Sequence, residues 1–221
     1  MISKKIMPHP ELVVFDMDGT MLDTEPVSRL SWKYATETMG YTFDDEIFNK
    51  MLGTNSTQIF NLLLDMYGNE SDVKRVFELS SEYYFKYFEE HGMPVKSGIY
   101  ELLDKLEMLG IKKCVATSTG KKVATHKLQM AGIADRFEII VGGDEVHVSK
   151  PNPEIFLLAA QRCGVLPSKC LVVEDSAAGV RAGFDAGMHV VLVPDMLPPS
   201  EETRRMAHYI CKDLHELMGY L

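Results

Sequence analysis

The feature that most constrains the fold is a pattern that recurs four times: an amphipathic helix ends at a glycine, and a short apolar run follows. Glycine readily takes the left-handed conformation that terminates helices. These glycines are Gly110, Gly132, Gly164 and Gly187. The predicted strands are Leu12–Phe15, Cys114–Ala116, Phe137–Val141, Cys170–Val173 and Val190–Val193. Helices that alternate with continuously apolar strands predict an α/β fold, in which helices cover both faces of a parallel sheet.

The alternation breaks between residues 24 and 93, where the pattern is helical throughout. Apolar residues recur at helical spacing from Ile59 to Tyr67, and a second stripe runs from Val73 to Phe88. A third helix is predicted over residues 25–39. We therefore expect an all-helical domain at 24–93, inserted into an α/β core formed by 1–23 and 94–221.

Composition and charge exclude several classes of protein. The chain has 221 residues, of which 46 % are hydrophobic and 25 % charged, as in ordinary globular domains. Its apolar runs are far shorter than the roughly 20 residues that cross a bilayer, and prolines at positions 8 and 10 argue against a signal peptide. With 23 basic and 32 acidic residues, the net charge of −9 offers no basic surface for nucleic acid.

The four cysteines show none of the spacings of a zinc site. Cys114 and Cys170 lie in apolar strand patterns, which is typical of buried thiols in a reducing compartment. We therefore expect a cytoplasmic protein that does not associate with membranes.

Two carboxylates directly follow the first predicted strand. Asp16 and Asp18 are separated by one residue and followed by Gly19 and Thr20. Residues at the carboxyl end of a parallel strand lie where such sheets bind ligands. An Asx turn that closes the strand is the structural alternative, but the apolar run before the pair and the Gly-Thr after it favour a functional site.

A second acidic pair, Glu174 and Asp175, follows another predicted strand, and Ser176 can cap the next helix. Capping alone is the structural alternative for Asp175. Two acids at each of two strand ends predict a cluster of four carboxylates, which is strongly unfavourable unless a cation neutralises it. Mg²⁺ fits best, because it binds a few carboxylates together with waters and substrate phosphate.

Hydroxyl and ammonium groups follow two further segments. Thr117, Ser118 and Thr119 end a strand pattern and offer donors to an anion, although a plain helix cap is the alternative. Lys150 precedes two prolines that restrain its loop. A lysine is usually solvated, but a protein of net charge −9 needs a local cation to bind a phosphate.

Taken together, these motifs resemble those of the haloacid dehalogenase superfamily, and specifically its β-phosphoglucomutase-like phosphatase branch with a helical cap. They are Asp16-Met-Asp18-Gly19-Thr20, Thr117, Lys150 and Glu174-Asp175, in the order of the family, and the resemblance covers essentially the whole chain. It implies a Rossmann-like parallel core with the helical cap inserted after the first strand.

The resemblance implies phosphoryl transfer to water in two steps. Asp16 would attack phosphorus and become an aspartyl phosphate, while Asp18 would protonate the leaving oxygen and later deprotonate the water. The groups that would bind the phosphoryl oxygens are Thr117, Ser118 and Lys150. Mg²⁺ would be bound by Asp16, the backbone carbonyl of Asp18 and Asp175, and Glu174 would bind either the ion or one of its ligands.

There are three alternative functions: a sugar-phosphate mutase, a dehalogenase and a phospho-accepting receiver domain. Sugar-phosphate mutases that resemble the chain carry a histidine where Ser28 stands, and an arginine in the loop where residues 54–56 provide none. Related dehalogenases lack the second aspartate. A phospho-accepting receiver domain, which is not an enzyme, has the reverse order of motifs and no helical insert. A phosphatase is therefore favoured over a mutase, and both over the other two.

The resemblance implies a small phosphorylated metabolite, such as a sugar phosphate, as the substrate. Cap residues choose among such substrates in the family. The candidates are Glu25, Ser28, Arg29, Trp32, Gly53 and Thr54, most of which also suit a cap surface or cap core. For a capped enzyme of this kind we expect a monomer.

Overall fold

A computed structural model describes residues 10–52 and 54–221. The described residues form two compact units, one within 24–94 and one formed by 10–23 with 95–221, which we call the helical insert and the sheet unit. Sequence analysis placed the second boundary one residue earlier. Within the described ranges, no helix is long and apolar enough to cross a bilayer.

The helical insert contains helices α1 (Glu25–Thr38), α2 (Asp45–Met51), α3 (Ser56–Tyr67) and α4 (Glu70–His91). Three of them match the predicted helical patterns, whereas α2 was missed. Its signal is Asp44, whose side chain accepts a hydrogen bond from the backbone N–H of Ile47 at 2.9 Å and caps the helix. The buried core of the insert comprises Ala35, Ile47, Met51, Leu63, Val73, Val76 and Leu79.

Among its described residues, the sheet unit contains six parallel strands. They are β1 (Leu12–Phe15), β2 (Lys112–Ala116), β3 (Ile139–Val141), β4 (Cys170–Glu174), β5 (His189–Leu192) and β6 (Tyr209–Ile210). Their order in the sheet is β3-β2-β1-β4-β5-β6. The predicted α/β fold class is confirmed. The sixth strand was missed because two residues are too short to show an apolar pattern.

The sheet unit also contains helices α5 (Ile99–Met108), α6 (Lys121–Met130), α7 (Glu154–Cys163), α8 (Ala177–Asp185), α9 (Glu201–Met206) and α10 (Leu214–Met218). Helix α7 packs on β1, β2 and β3, and α8 packs on β4 and β5, whereas α9 packs on α8 and α10 packs on α5. All four residues of β1 are fully buried, although successive side chains of a strand point to opposite faces. Both faces of the central strand are therefore covered, as its continuous apolar run predicted.

Candidate active site

Strand register brings the predicted acidic residues to one edge of the sheet. In the parallel pairing of β1 with β4, Phe15 lies opposite Val173. Asp16 therefore follows beside Glu174, and the backbone N–H of Asp16 donates to the carbonyl of Val173 at 3.0 Å. On the other side of β1, Phe15 lies opposite Val115 of β2, so Thr117 reaches the same edge.

Three carboxylates meet at this edge. One oxygen each from Asp16, Glu174 and Asp175 lies within 4.8 Å of the other two. The nearest cation is Lys150, whose ammonium contacts two of these carboxylates. When all four groups are ionised, two negative charges remain uncompensated, which equals the charge of one divalent cation. This set of oxygen donors fits Mg²⁺.

Lys150 is anchored from several sides. Its Nζ lies 2.6 Å from Oδ1 of Asp16 and 2.7 Å from Oε1 of Glu174, and it donates to the carbonyl of Ala116 at 3.1 Å. The same ammonium stands 4.8 Å from the ring centroid of Phe156 at the start of α7. Only 4 % of the Lys150 side chain is exposed. Lysine is usually a surface residue, so this burial depends on the two carboxylates.

Burial and charge shift the proton affinities of this pair. Burial raises the pKa of Asp16, Lys150 lowers it, and the neighbouring Glu174 raises it again, so the pKa reaches about 7 in the absence of a metal. Burial lowers the pKa of Lys150, but Asp16 and Glu174 outweigh that effect and raise it above its ordinary value. Lys150 therefore stays cationic, whereas Asp16 needs further positive charge to ionise fully at neutral pH.

Glu174 has both carboxylate oxygens engaged within the protein. Its Oε1 binds Lys150, and its Oε2 accepts from the backbone N–H groups of Asp175 and Ser176 and from the Ser176 hydroxyl at 2.8–2.9 Å. A Cβ on Gly179 would overlap this carboxylate, so only glycine leaves room for it. These contacts favour Glu174 as the residue that orients Lys150 and the loop, rather than as a direct metal ligand.

Asp18 departs from the predicted cluster of four carboxylates. Its Oδ1 pairs with Nζ of Lys127 at 2.9 Å, and its Oδ2 accepts from the hydroxyl of Thr119 at 2.9 Å. The ammonium of Lys127 offers a partner of opposite charge, whereas the cluster offers three like charges. The carboxylate of Asp18 is therefore bound by Lys127 and Thr119 and does not belong to the group of three.

Sequence analysis missed Lys127 as a site residue. A signal was present, because Lys127 occupies the same helical stripe as Ala124, Leu128 and Ala131, all of which are buried. A lysine within an apolar stripe is unusual and points to a buried acidic partner.

Asp175 is positioned by the turn that follows β1. The hydroxyl of Thr20 donates to its Oδ1 at 3.2 Å. Gly19 has a φ of +82°, and a Cβ at this position would overlap the Asp175 carboxylate. Position 19 therefore requires glycine for two reasons: its positive φ is unfavourable for other residues, and a side chain would overlap Asp175.

Thr117 is buried at the end of β2, and its hydroxyl oxygen accepts the backbone N–H of Thr119 at 3.1 Å. This contact lies in the turn after β2 and does not cap α6, which begins at Lys121 without a side-chain cap, so the plain helix cap that was the structural alternative is not formed by Thr117. Its hydroxyl proton can still be donated to an anion. Ser118 is half-buried beside it.

Three of the predicted specificity residues, Trp32, Arg29 and Thr54, have contacts within the insert. Trp32 packs edge-on against Phe77 with ring centroids 4.9 Å apart, at the margin of the insert core. Arg29 forms an ion pair with Asp45. The hydroxyl of Thr54 donates to the carbonyl of Met51 at 2.7 Å. Glu25 and Ser28 are half-buried on α1, and Gly53 lies outside the described residues.

Comparison with known proteins identifies the family. The family model described as haloacid dehalogenase-like hydrolase matches residues 13–193, which include every motif of the site. The chain belongs to the haloacid dehalogenase-like hydrolases.

Relatives of this hydrolase include named phosphatases. The "Phosphorylated carbohydrates phosphatase" of Thermotoga maritima is 31 % identical over 182 residues, which cover 80 % of this chain and 82 % of that protein. "Hexitol phosphatase A" of Escherichia coli is 31 % identical over 180 residues, which cover 81 % of each chain. The structure of a β-phosphoglucomutase from Clostridium difficile matches with a TM-score of 0.79 and 26 % identity, covering 94 % of this chain and 92 % of that one.

These comparisons confirm the family and the fold class predicted from the sequence. They also confirm the predicted enzyme class, because the family is one of hydrolases and the named relatives are phosphatases. This member of the haloacid dehalogenase-like hydrolases is therefore a phosphoric monoester hydrolase.

Proposed function

We propose that this hydrolase is a Mg²⁺-dependent phosphatase that cleaves a small phosphorylated sugar through an aspartyl phosphate on Asp16. The observation that carries the proposal is the environment of Asp16. The ammonium of Lys150 contacts its carboxylate, and oxygens of two further carboxylates, those of Glu174 and Asp175, lie within 4.8 Å of it. Its side chain keeps 11 % exposure, whereas that of Glu174 keeps 1 %, so a substrate can reach Asp16.

Asp16, Asp175 and the backbone carbonyl of Asp18 would hold Mg²⁺. The ion would supply positive charge that offsets the charge of the transferring phosphoryl group and that keeps the Asp16 carboxyl ionised near neutral pH. Glu174 would contribute by orienting Lys150, since both of its oxygens already accept hydrogen bonds.

In the first step, a carboxylate oxygen of Asp16 forms a bond to phosphorus while the bond from phosphorus to the leaving oxygen breaks. Covalent catalysis of this kind replaces one difficult displacement by two easier ones. Asp18 enters this step in its protonated form, donates that proton to the leaving oxygen and becomes a carboxylate. Lys127 and Thr119 orient its carboxylate for this task from 2.9 Å.

In the second step, Asp18 removes a proton from a water molecule, which attacks phosphorus and releases Asp16. Thr117 and Lys150 donate hydrogen bonds to the phosphoryl oxygens in both steps, and Ser118 is the further donor proposed there. Their contribution is chiefly electrostatic, because phosphoryl transfer depends on positioning and charge stabilisation.

The substrate class is inferred from the named relatives and from the insert. Two relatives carry names that refer to phosphorylated carbohydrates and to hexitols. The absence of a histidine at Ser28 and of an arginine at residues 54–56 favours release of phosphate to water over its return to a sugar. We further propose a cytoplasmic monomer with Glu25, Ser28, Arg29, Trp32, Gly53 and Thr54 as specificity residues.

The test is release of inorganic phosphate from a panel of hexose, pentose and hexitol phosphates, with p-nitrophenyl phosphate as a general substrate. EDTA should abolish release, and added Mg²⁺ should restore it. Asp16→Asn, which has nearly the same shape, should fold normally and lose essentially all turnover. Hydrolysis that persists in EDTA, or substantial activity in Asp16→Asn, would contradict the proposal.

A further inference from the structure

Asp195 is an acidic residue of the sheet unit that the proposed mechanism does not use. It follows β5 by three residues and reaches the same edge of the sheet as Asp175. Its Oδ1 accepts a hydrogen bond from Nζ of Lys96 at 2.5 Å. Nζ of Lys96 also contacts Oδ1 of Asp23, at 2.9 Å. One ammonium therefore serves two carboxylates.

The second oxygen of Asp195 is buried without a hydrogen-bond donor. Oδ2 has almost no solvent exposure, and no donor among the described residues lies within hydrogen-bonding distance of it. Buried carboxylate oxygens in native proteins nearly always accept a hydrogen bond, so an orphaned one calls for a donor that binds there. Lys96 does not supply it, because its contact is with Oδ1.

Gly19 shows where that oxygen faces. A Cβ built on Gly19 would lie 3.3 Å from Oδ2 of Asp195, and the same Cβ would overlap the carboxylate of Asp175. The two carboxylates therefore lie close to each other, and both pack against Gly19. Asp23, the other carboxylate that Lys96 contacts, is 45 % exposed.

We propose that Asp195 is a positioning residue of the cation site, whose Oδ2 accepts a hydrogen bond from a water molecule bound to Mg²⁺. This inference rests on the proposed function, in which Asp16 and Asp175 hold the ion. A water on a divalent cation is a strong donor, and a carboxylate is the acceptor that suits it best. Residues that hydrogen-bond to the ligands of a metal orient those ligands, and their loss weakens the affinity of the site for the metal about 10- to 100-fold.

The experiment measures Mg²⁺ binding to the metal-stripped full chain by isothermal titration calorimetry. Asp195→Asn removes the charge with little change in shape, and we expect a dissociation constant about 10- to 100-fold higher than that of the wild type. Asp23→Asn is the matched control, because it takes the other carboxylate away from Lys96. That variant should bind Mg²⁺ like the wild type.

A second readout separates positioning from general damage. The Mg²⁺ concentration for half-maximal activity of Asp195→Asn should rise by a similar factor, while kcat at saturating Mg²⁺ should return to near the wild-type value. A misfolded site would not recover in this way. Should the amide disturb the loop, the smaller variant Asp195→Ser should show the same loss of affinity.

Three results would overturn the inference. The first is wild-type affinity in Asp195→Asn. The second is equal weakening in Asp23→Asn, which would assign the effect to Lys96. The third comes from Asp175→Asn, which should abolish binding: unchanged affinity there would refute the cation site itself. If Asp175→Asn loses Mg²⁺ binding while Asp195→Asn keeps the wild-type Mg²⁺ affinity, only the role of Asp195 is refuted.

Discussion

The ammonium of Lys150 and the carboxylate of Asp16 lie 2.6 Å apart although 134 residues separate them in the chain. The same ammonium reaches Glu174 at 2.7 Å, so a single buried cation serves both the proposed nucleophile and a neighbouring acid. Asp16 is thereby held in place and only partly neutralised.

Lys150→Met should lower kcat/KM for p-nitrophenyl phosphate by at least about 100-fold, because one charge-stabilising donor to the transition state is lost. The same variant should bind Mg²⁺ more tightly at pH 8, since three carboxylates then face the ion without a competing ammonium. Phosphate release and calorimetry measure the two effects. Lys169→Met, which removes an exposed lysine paired with Glu11, should change neither. Unaltered turnover in Lys150→Met would count against its role.

Lys127→Met should impair the proton transfers of Asp18 by releasing its carboxylate. The loss in kcat/KM should be at least about 10-fold larger for a sugar phosphate than for p-nitrophenyl phosphate, because nitrophenolate leaves without a proton and a sugar oxygen does not. Steady-state kinetics on the two substrates provide the measurement. Lys122→Met, on the exposed side of the same helix, is the control. Equal losses for both substrates would indicate a structural effect only.

The stability of the metal-free protein should depend on pH through Asp16. The pKa of this carboxyl is about 7 in the folded protein, against 3.8 for an unperturbed aspartate, so the folded state binds the proton more tightly. Its contribution to stability is therefore greatest at low pH and is lost as pH rises towards 7. In EDTA, wild type should lose roughly 1–2 kcal/mol relative to Asp16→Asn between pH 5.5 and 7.

Thermal unfolding of both proteins across this pH range measures the difference. The Tm of the wild type should fall relative to that of Asp16→Asn as pH rises to about 7. Above that pH the difference in Tm should stay constant, because the other titrating groups are common to both proteins. A gap that does not change with pH would show that the Asp16 carboxyl titrates normally.

Gly19→Ala should cost both stability and metal affinity. The positive φ alone costs about 1–2 kcal/mol for alanine, and the new methyl group would displace the Asp175 carboxylate. Gly40→Ala isolates the first effect, because Gly40 has a φ of +81° and open space around its Cβ position. Unfolding measurements should show the cost of the positive φ in both variants. Mg²⁺ titration should show weakened binding only in Gly19→Ala. Equal Mg²⁺ affinities would disprove the contact with Asp175.

Local patterns were sufficient to predict much of the fold. The four helix-terminating glycines have φ values from +66° to +71°, as the sequence pattern requires. Each of the five predicted strands overlaps a strand of the sheet. Strand β6 was not predicted because a strand this short has no recognisable apolar pattern. Its pairing with β5 stabilises it.

The sequence predicted a group of four carboxylates, of which the structure brings together three, Asp16, Glu174 and Asp175. Parallel strands end at one edge of a sheet, so acids that follow β1 and β4 had to come near each other. Which oxygen faces which partner depends on side-chain directions after the strands end. Asp18 therefore joins Lys127 of α6 rather than the cluster, over a separation of 109 residues.

The sequence by itself determined the α/β fold, the helical insert and the set of polar residues at the strand ends, because periodicity and turn chemistry are local properties of the chain. Only the tertiary structure decided how charges are shared: Lys150 between Asp16 and Glu174, Lys127 with Asp18, and Lys96 between Asp23 and Asp195. These pairings depend on distances of a few ångströms between residues far apart in sequence. Electrostatic energy in a buried site changes steeply over such distances, and no local pattern encodes it.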